Sequence, residues 1–217
     1  MKQKIMLRIL GCARSGTLYT TEVLQACGIK VEHEFTGKEG TVSCYAVGRP
    51  PYPHLHQNPE MQHIPHRKEN IEQIPWTATL HQVREPLKVI ESVYFVLTEP
   101  AWKWYAEKLN IPHRSNITYR SMLYWLRWNE LCEKLAKITY RLENIQGEWN
   151  TILYQCGLPV GTPFPAHIST TTNRKQRNVI PFKDRKYKIN DWQQLEDIDP
   201  VLTKAIIQKA KQYGYEL

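Results

Sequence analysis

The sequence has no apolar run approaching the roughly 20 residues needed to cross a bilayer, so no membrane-spanning segment is expected. Cysteine is scarce and unpatterned. Cys12, Cys27, Cys44, Cys132 and Cys156 are odd in number, widely spaced and without a Cys-x-x-Cys pair. That usage argues against a disulfide framework and a zinc site, and it fits a reducing compartment. The basic, apolar start at residues 1–10 lacks the longer apolar stretch and small-residue cleavage site of a signal peptide. A cytoplasmic protein is the expectation. There is no internal repeat, and nothing marks a second domain.

Aromatic residues are plentiful, with seven Trp and twelve Tyr, which argues against disorder. At 217 residues, 41% hydrophobic and 23% charged, the chain has the make-up of one globular domain that can bury its own core. The net charge is +8, from 29 Lys and Arg against 21 Asp and Glu, and the pI is near 9.2. Such an excess suits a polyanionic partner: a multiply phosphorylated nucleotide, a sulfated glycan or nucleic acid. Charge alone does not choose among them.

Residues 5–10 are a short apolar run bounded by Gly11 and read as a buried strand. A glycine loop follows at 11–16, then a helical pattern over 17–27. Tyr19, Val23, Ala26 and Cys27 share one face of it, and Gly28 stands at its C-terminal cap. Residues 29–31 open a second strand. From 36 to 76 the periodicity fails, and six prolines between 50 and 75, with His54, His56, His63 and His66, mark an irregular, lid-like excursion at about 49–76. Residues 77–83 predict a strand, and Pro86 the first turn of a helix carrying Leu87, Ile90, Tyr94 and Leu97 on one side.

A long helix is predicted over 118–136, with Tyr124, Trp128, Leu131 and Leu135 as its core stripe. A strand at 138–142 and a helix at 147–156 follow, then loop over 158–190. Asp199 and Pro200 suit the N-cap and first position of a last helix that buries Leu202, Ile206 and Ala210 and stops at Gly214. This order predicts an α/β fold of three layers, a central parallel sheet flanked by helices, in a single domain over residues 1–217.

Gly11 and Gly16, between a strand and a helix, have the spacing of a phosphate-binding loop (P-loop), in which backbone N–H groups and the helix N-terminus cradle an anion. The ATPase form needs Lys and then Ser or Thr directly after the second glycine. Thr17 and Leu18 stand there instead, and the positive charge sits inside the loop at Arg14. The loop is anion-binding in form and wrong for ATP hydrolysis or kinase chemistry.

Ala13-Arg14-Ser15-Gly16-Thr17-Leu18 resembles the 5′-phosphosulfate loop of the sulfotransferases that use 3′-phosphoadenosine 5′-phosphosulfate (PAPS), which reads roughly Pro-Lys/Arg-Ser-Gly-Thr-Thr. The resemblance implies that Arg14 contacts the sulfate and the bridging oxygen. It also implies that Ser15, Gly16, Thr17 and the Leu18 position surround the 5′-phosphate. Leu18 departs from the family by lacking a hydroxyl, which Thr20 or Thr21 would have to supply.

The stretch from His81 to Tyr94 resembles the family's 3′-phosphate motif: an Arg ends a strand, a Pro opens the helix, and a Ser follows the Arg by eight residues, as Ser92 follows Arg84. A strand-end guanidinium can grip a phosphate through two N–H groups while the hydroxyl closes the site. Taken singly, Arg84 reads as a salt-bridging residue and Ser92 as a helix-packing one. In this order, behind the glycine loop, they read as a site.

Glu34, twenty residues past Arg14, is similar to the acceptor-activating glutamate of the tyrosylprotein and some glycan branches. His33 competes, because small-molecule members use histidine, from a later segment. Both also read as solvated residues after a strand. Arg174 and Lys175, in Thr172-Asn173-Arg174-Lys175-Gln176-Arg177, are placed like the family's basic loop over the 3′-phosphate but without its Arg-Lys-Gly. A solvated basic loop fits them equally.

The resemblance spans residues 5–43, 77–97 and 124–157, including Trp128-Asn129 and Tyr140-Arg141-Leu142-Glu143. It implies a PAPS-dependent sulfotransferase without a metal, acting on a hydroxyl or amine of an acceptor, for which a carbohydrate is one candidate. Trp102 and Trp104 read either as stacking residues for that acceptor or as core. The excursion's histidines, without nearby cysteines, read as exposed loop residues rather than metal ligands. Nucleic acid is not the expected partner. Two rivals remain: a P-loop nucleotide kinase, against which the missing lysine speaks, and a non-catalytic nucleotide- or nucleic-acid-binding protein, which the basic pI permits.

Overall fold

Leu7 and Ile9 point to one side of the first strand and Leu10 to the other, and all three are fully buried. A strand apolar on both faces belongs inside a sheet covered on both faces. In the computed structural model, which describes residues 5–48, 73–94, 99–112, 115–166, 168 and 188–217, the strands are β1 (Leu7–Gly11), β2 (Val31–His33), β3 (Gly40–Ser43), β4 (Ala78–Val83) and β5 (Ile138–Arg141). They form an all-parallel sheet of order β2-β3-β1-β4-β5, with β1 in the middle. One face packs against α1 (Thr17–Ala26) and α5 (Trp149–Gln155). The other packs against α2 (Pro86–Tyr94), α3 (Glu99–Leu109), α4 (Ile117–Leu135) and, after the short α6 (Gln193–Glu196), α7 (Pro200–Gln212). The expected α/β architecture with a central parallel sheet flanked by helices is present.

β3 lies inside the region where periodicity fails. Gly40, Thr41, Val42 and Ser43 are all buried, but only Val42 is apolar enough to signal a strand. The chain returns from β2 to β3 in six residues, which suffices only because both strands are short. Gly40 has φ 138°, and a Cβ there would overlap the Leu7 carbonyl, so the close approach of β3 to β1 requires glycine.

Three helices differ from their sequence patterns. α1 buries Thr17, Thr20, Thr21, Val23 and Leu24 rather than a Tyr19–Ala26 face, because the threonine hydroxyls find partners inside. α4 meets α2, α3, α7 and the strands β1 and β4. Enclosed on several sides, it buries Trp125, Asn129 and Cys132 beside Tyr124 and Trp128, while Leu135 is exposed. α3 has no strong pattern of its own, and Trp102, Trp104 and Tyr105 hold it by ring contacts with Tyr124 and Trp128. Both tryptophans are core: Trp102 is 1% exposed and Trp104 8%. In α2, Ile90 is buried and Leu87 half-buried, whereas the Tyr94 side chain and Leu97 lie outside the described residues. α7 keeps its expected N-cap, Asp199 accepting from the Leu202 N–H at 2.8 Å, and its buried Leu202, Ile206 and Ala210.

Beneath the sheet's α4 face, His81 is buried between Asn129 and Thr139. Its Nε2 lies 3.0 Å from Asn129 Oδ1 and its Nδ1 3.1 Å from Thr139 Oγ1. Asn129 turns its amide to the Trp125 carbonyl, so Oδ1 accepts and His81 is the Nε2–H tautomer. Burial holds its pKa down to about 4. The folded state therefore resists a proton that the unfolded chain takes up below the ordinary value of 6.5. Stability present above that value should fall on acidification toward about 4, by roughly 3 kcal/mol. His33, also shifted down, adds in the same direction. Denaturant unfolding of wild type and His81→Gln at neutral and mildly acid pH checks this. The variant should lose most of the acid sensitivity, and an unchanged slope would remove His81 as its source.

Candidate functional site

The glycine loop between β1 and α1 turns through left-handed residues at Arg14 (φ 71°) and Gly16 (φ 87°). Gly16 is required twice, for its φ and because a Cβ would overlap the Leu142 side chain. α1 starts without a side-chain cap, leaving its first N–H groups, and the positive end of its dipole, to the loop's surroundings.

The loop is held from both faces of the sheet. On the α1 face, Gln82 Nε2 donates to the Ser15 carbonyl at 2.7 Å. Its Oε1 accepts from the Tyr140 hydroxyl at 2.9 Å and from the Thr20 hydroxyl. On the α4 face, the Ala13 N–H donates to Tyr124 OH at 2.7 Å and Trp128 Nε1 donates to the Gly11 carbonyl at 3.0 Å. Cys12 Sγ points to Asn129 Oδ1 at 3.4 Å. The Ser15 hydroxyl is fully buried without a hydrogen-bond partner.

Arg84 follows β4, and its Nη1 donates to the Arg14 carbonyl at 2.9 Å. Arg14 Nε donates to Ser92 Oγ at 3.0 Å. The loop and the Arg84–Ser92 pair, 70 and 78 residues apart, thus meet at the carboxyl ends of β1 and β4. β1 leads to α1 on one face and β4 to α2 on the other, and the carboxyl ends of such neighbouring strands are where open α/β sheets take ligands. Glu85 accepts from the Leu87 and Lys88 N–H groups at 3.0 and 3.2 Å, so it closes the α2 N-terminus itself.

His33 ends β2 beside the start of α1, with Nε2 3.0 Å from Thr17 Oγ1. The Glu34 carboxylate stands 3.9 Å from the same nitrogen. Burial lowers the His33 pKa, opposed by the negative charges of Glu34 and Glu22 and reinforced by Arg14. Glu34 is more exposed and holds a left-handed φ of 65°.

Arg14, Ser15, Gly16, Thr17, Arg84, Ser92 and His33 are thus brought together, with Glu34 just behind. Leu18 is half-buried in the first turn of α1. Thr20 and Thr21 do not replace its missing hydroxyl, for both are buried and bonded to Gln82 and to the Thr17 carbonyl. Arg174, Lys175, most of the excursion and its histidines lie outside the described residues. Gln82, Tyr124 and Tyr140 are the site's unforeseen members. A glutamine in a strand otherwise suited to burial, two places before Arg84, was the one available signal.

Among the described residues no group of three or more His, Cys, Asp or Glu is placed to hold a metal ion, and no helix is long and apolar enough to cross a membrane. The described residues define an α/β protein with an all-parallel sheet, at whose carboxyl edge Arg14, Arg84 and Ser92 come together. No family model, curated protein or solved structure matches the chain.

Gln82→Leu would strand the Ser15 carbonyl and two hydroxyls inside the protein. Unfolding free energy should fall by about 2–4 kcal/mol, read from denaturant curves, whereas a loss below about 0.5 kcal/mol would show that the network is not what holds the loop.

Proposed function

We propose that the chain is a P-loop sulfotransferase that binds PAPS and transfers its sulfuryl group to an acceptor hydroxyl or amine. One observation carries this reading: Arg14, Arg84 and Ser92 meet over a glycine loop that lacks the lysine of an ATPase. In this reading the N–H groups of Gly16 and Thr17 hold the 5′-phosphate, the Ser15 N–H donating instead to the Cys12 carbonyl at 3.1 Å. Arg84 and Ser92 hold the 3′-phosphate. Arg14 turns from Ser92 toward the sulfuryl group and stabilises the charge that develops on it and on the bridging oxygen. Guanidinium groups and backbone dipoles supply the positive field, and no metal is called on.

The acceptor oxygen or nitrogen forms its bond to sulfur as the bond from sulfur to the nucleotide's bridging oxygen breaks. Its proton passes to the base, and 3′-phosphoadenosine 5′-phosphate leaves. Geometry favours His33 over Glu34 as that base. Its nitrogen faces the loop through Thr17, and its lowered pKa keeps the imidazole neutral, hence able to accept a proton, at neutral pH. Glu34, at 3.9 Å, is placed to stabilise the imidazolium.

Arg84→Ala should weaken 3′-phosphoadenosine 5′-phosphate by roughly 2–3 kcal/mol and AMP hardly at all, measured by calorimetry. Equal losses would remove Arg84 from the 3′-phosphate. Transfer of labelled sulfate from PAPS should nearly vanish in Arg14→Ala and persist in part in Arg14→Lys. Magnesium-dependent ATP hydrolysis by the wild type, with no affinity for PAPS, would overturn the reading in favour of a kinase-like enzyme.

His33→Ala should lower turnover by roughly two orders of magnitude with nucleotide affinity kept. The acid limb of the wild-type rate should lie below the ordinary histidine value of 6.5, since the base works deprotonated and its pKa is lowered. If Glu34→Gln collapses turnover and His33→Ala does not, the base is the glutamate.

A further inference from the structure

We infer that Tyr215 positions the Arg84 turn for anion recognition through the carboxylate of Glu143. This rests on the reading of Arg84 given above. β5 runs parallel to β4 with Val83 opposite Arg141, so the single turn Leu142–Asn144 that follows β5 lies beside Arg84 and Glu85. Its Glu143 carboxylate is used at both ends: Oε1 accepts from the Glu85 N–H at 3.1 Å, and Oε2 accepts from the Tyr215 hydroxyl at 2.9 Å. Tyr215 is only 9% exposed. Arg141 secures it, donating to the Gly214 carbonyl and lying over the tyrosine ring at 5.5 Å.

On the other side, Trp125 Nε1 donates to the Arg84 carbonyl at 3.4 Å. The peptide group joining Arg84 to Glu85 is therefore gripped at its carbonyl by α4 and at its N–H by the Glu143–Tyr215 pair. A guanidinium on a strand end recognises a phosphate only if its backbone is fixed. The same turn presses Leu142 on Gly16, so the C-terminal tail, the Arg84 turn and the glycine loop are tied at one place.

Calorimetry on the full chain with two probes, 3′-phosphoadenosine 5′-phosphate and AMP, tests this. Tyr215→Phe and Glu143→Ala should each weaken the bisphosphate by roughly five- to tenfold and leave AMP unchanged within about twofold. Glu143→Gln, which keeps a carbonyl for the Glu85 N–H, should recover most of the preference. In an Arg84→Ala background, Tyr215→Phe should cost nothing more. Equal weakening of both probes, or an additive loss in the double variant, would show a general structural role and overturn the inference. Should Glu143→Ala fail to fold, Tyr215→Phe still decides. A wild type that binds both probes alike sinks the sulfotransferase reading itself, whereas a wild-type preference that Tyr215→Phe leaves intact sinks only this inference.

Discussion

Gln82 donates to the Ser15 carbonyl from inside the sheet, and two hydroxyls that have no exposed surface to turn to, those of Thr20 and Tyr140, fix its own carbonyl. A buried amide held by three such bonds resists turning, because each alternative leaves a polar group unpaired in a low dielectric. Tyr124 and Trp128 hold the same loop from the opposite face. The glycine loop is thus pinned through its backbone at Gly11, Ala13 and Ser15, which frees it from needing stabilising side chains of its own. Arg14, Gly16 and the first turn of α1 take their positions from that restraint.

Two arginines are held at the same edge. Arg84 spends a donor on the Arg14 carbonyl, and Arg14 spends one on Ser92. A guanidinium has five N–H donors in a fixed fork, so one such bond fixes where the rest of the group lies. Both arginines come to this edge because the β1 and β4 ends sit next to each other and send their helices to opposite faces.

α4 connects this edge to the rest of the protein. It supplies Tyr124 and Trp128 to the loop, Trp125 to the Arg84 carbonyl and Asn129 to His81, while packing α2, α3 and α7 around itself. Its aromatic residues serve core and site together. Trp102 and Trp104, which as isolated tryptophans read equally well as ligand-stacking groups, are drawn into the core by ring contacts with Tyr124, Tyr105 and Trp128.

Local pattern was enough for β1, the glycine loop, α1, β4, the Pro86 start of α2, β5 and the Asp199–Pro200 start of α7, since each carries its own signal in apolar runs, caps or glycines. The sequence by itself also determined the candidate site: the Arg14 loop, the Arg84-to-Ser92 spacing and His33 beside Glu34 are all short-range features. Tertiary structure alone decided what joins them. β3 is a strand because it fits between β1 and β2, not because Gly-Thr-Val-Ser prefers to be one. The buried face of α4 turned toward Trp125 and Asn129 because neighbours enclose it on several sides. Gln82, Tyr140, Glu143 and Tyr215 acquire their roles from partners 58 to 72 residues away. Hydrogen bonds of that span follow no local periodicity, because they depend on which strands lie side by side, and only the folded sheet determines that.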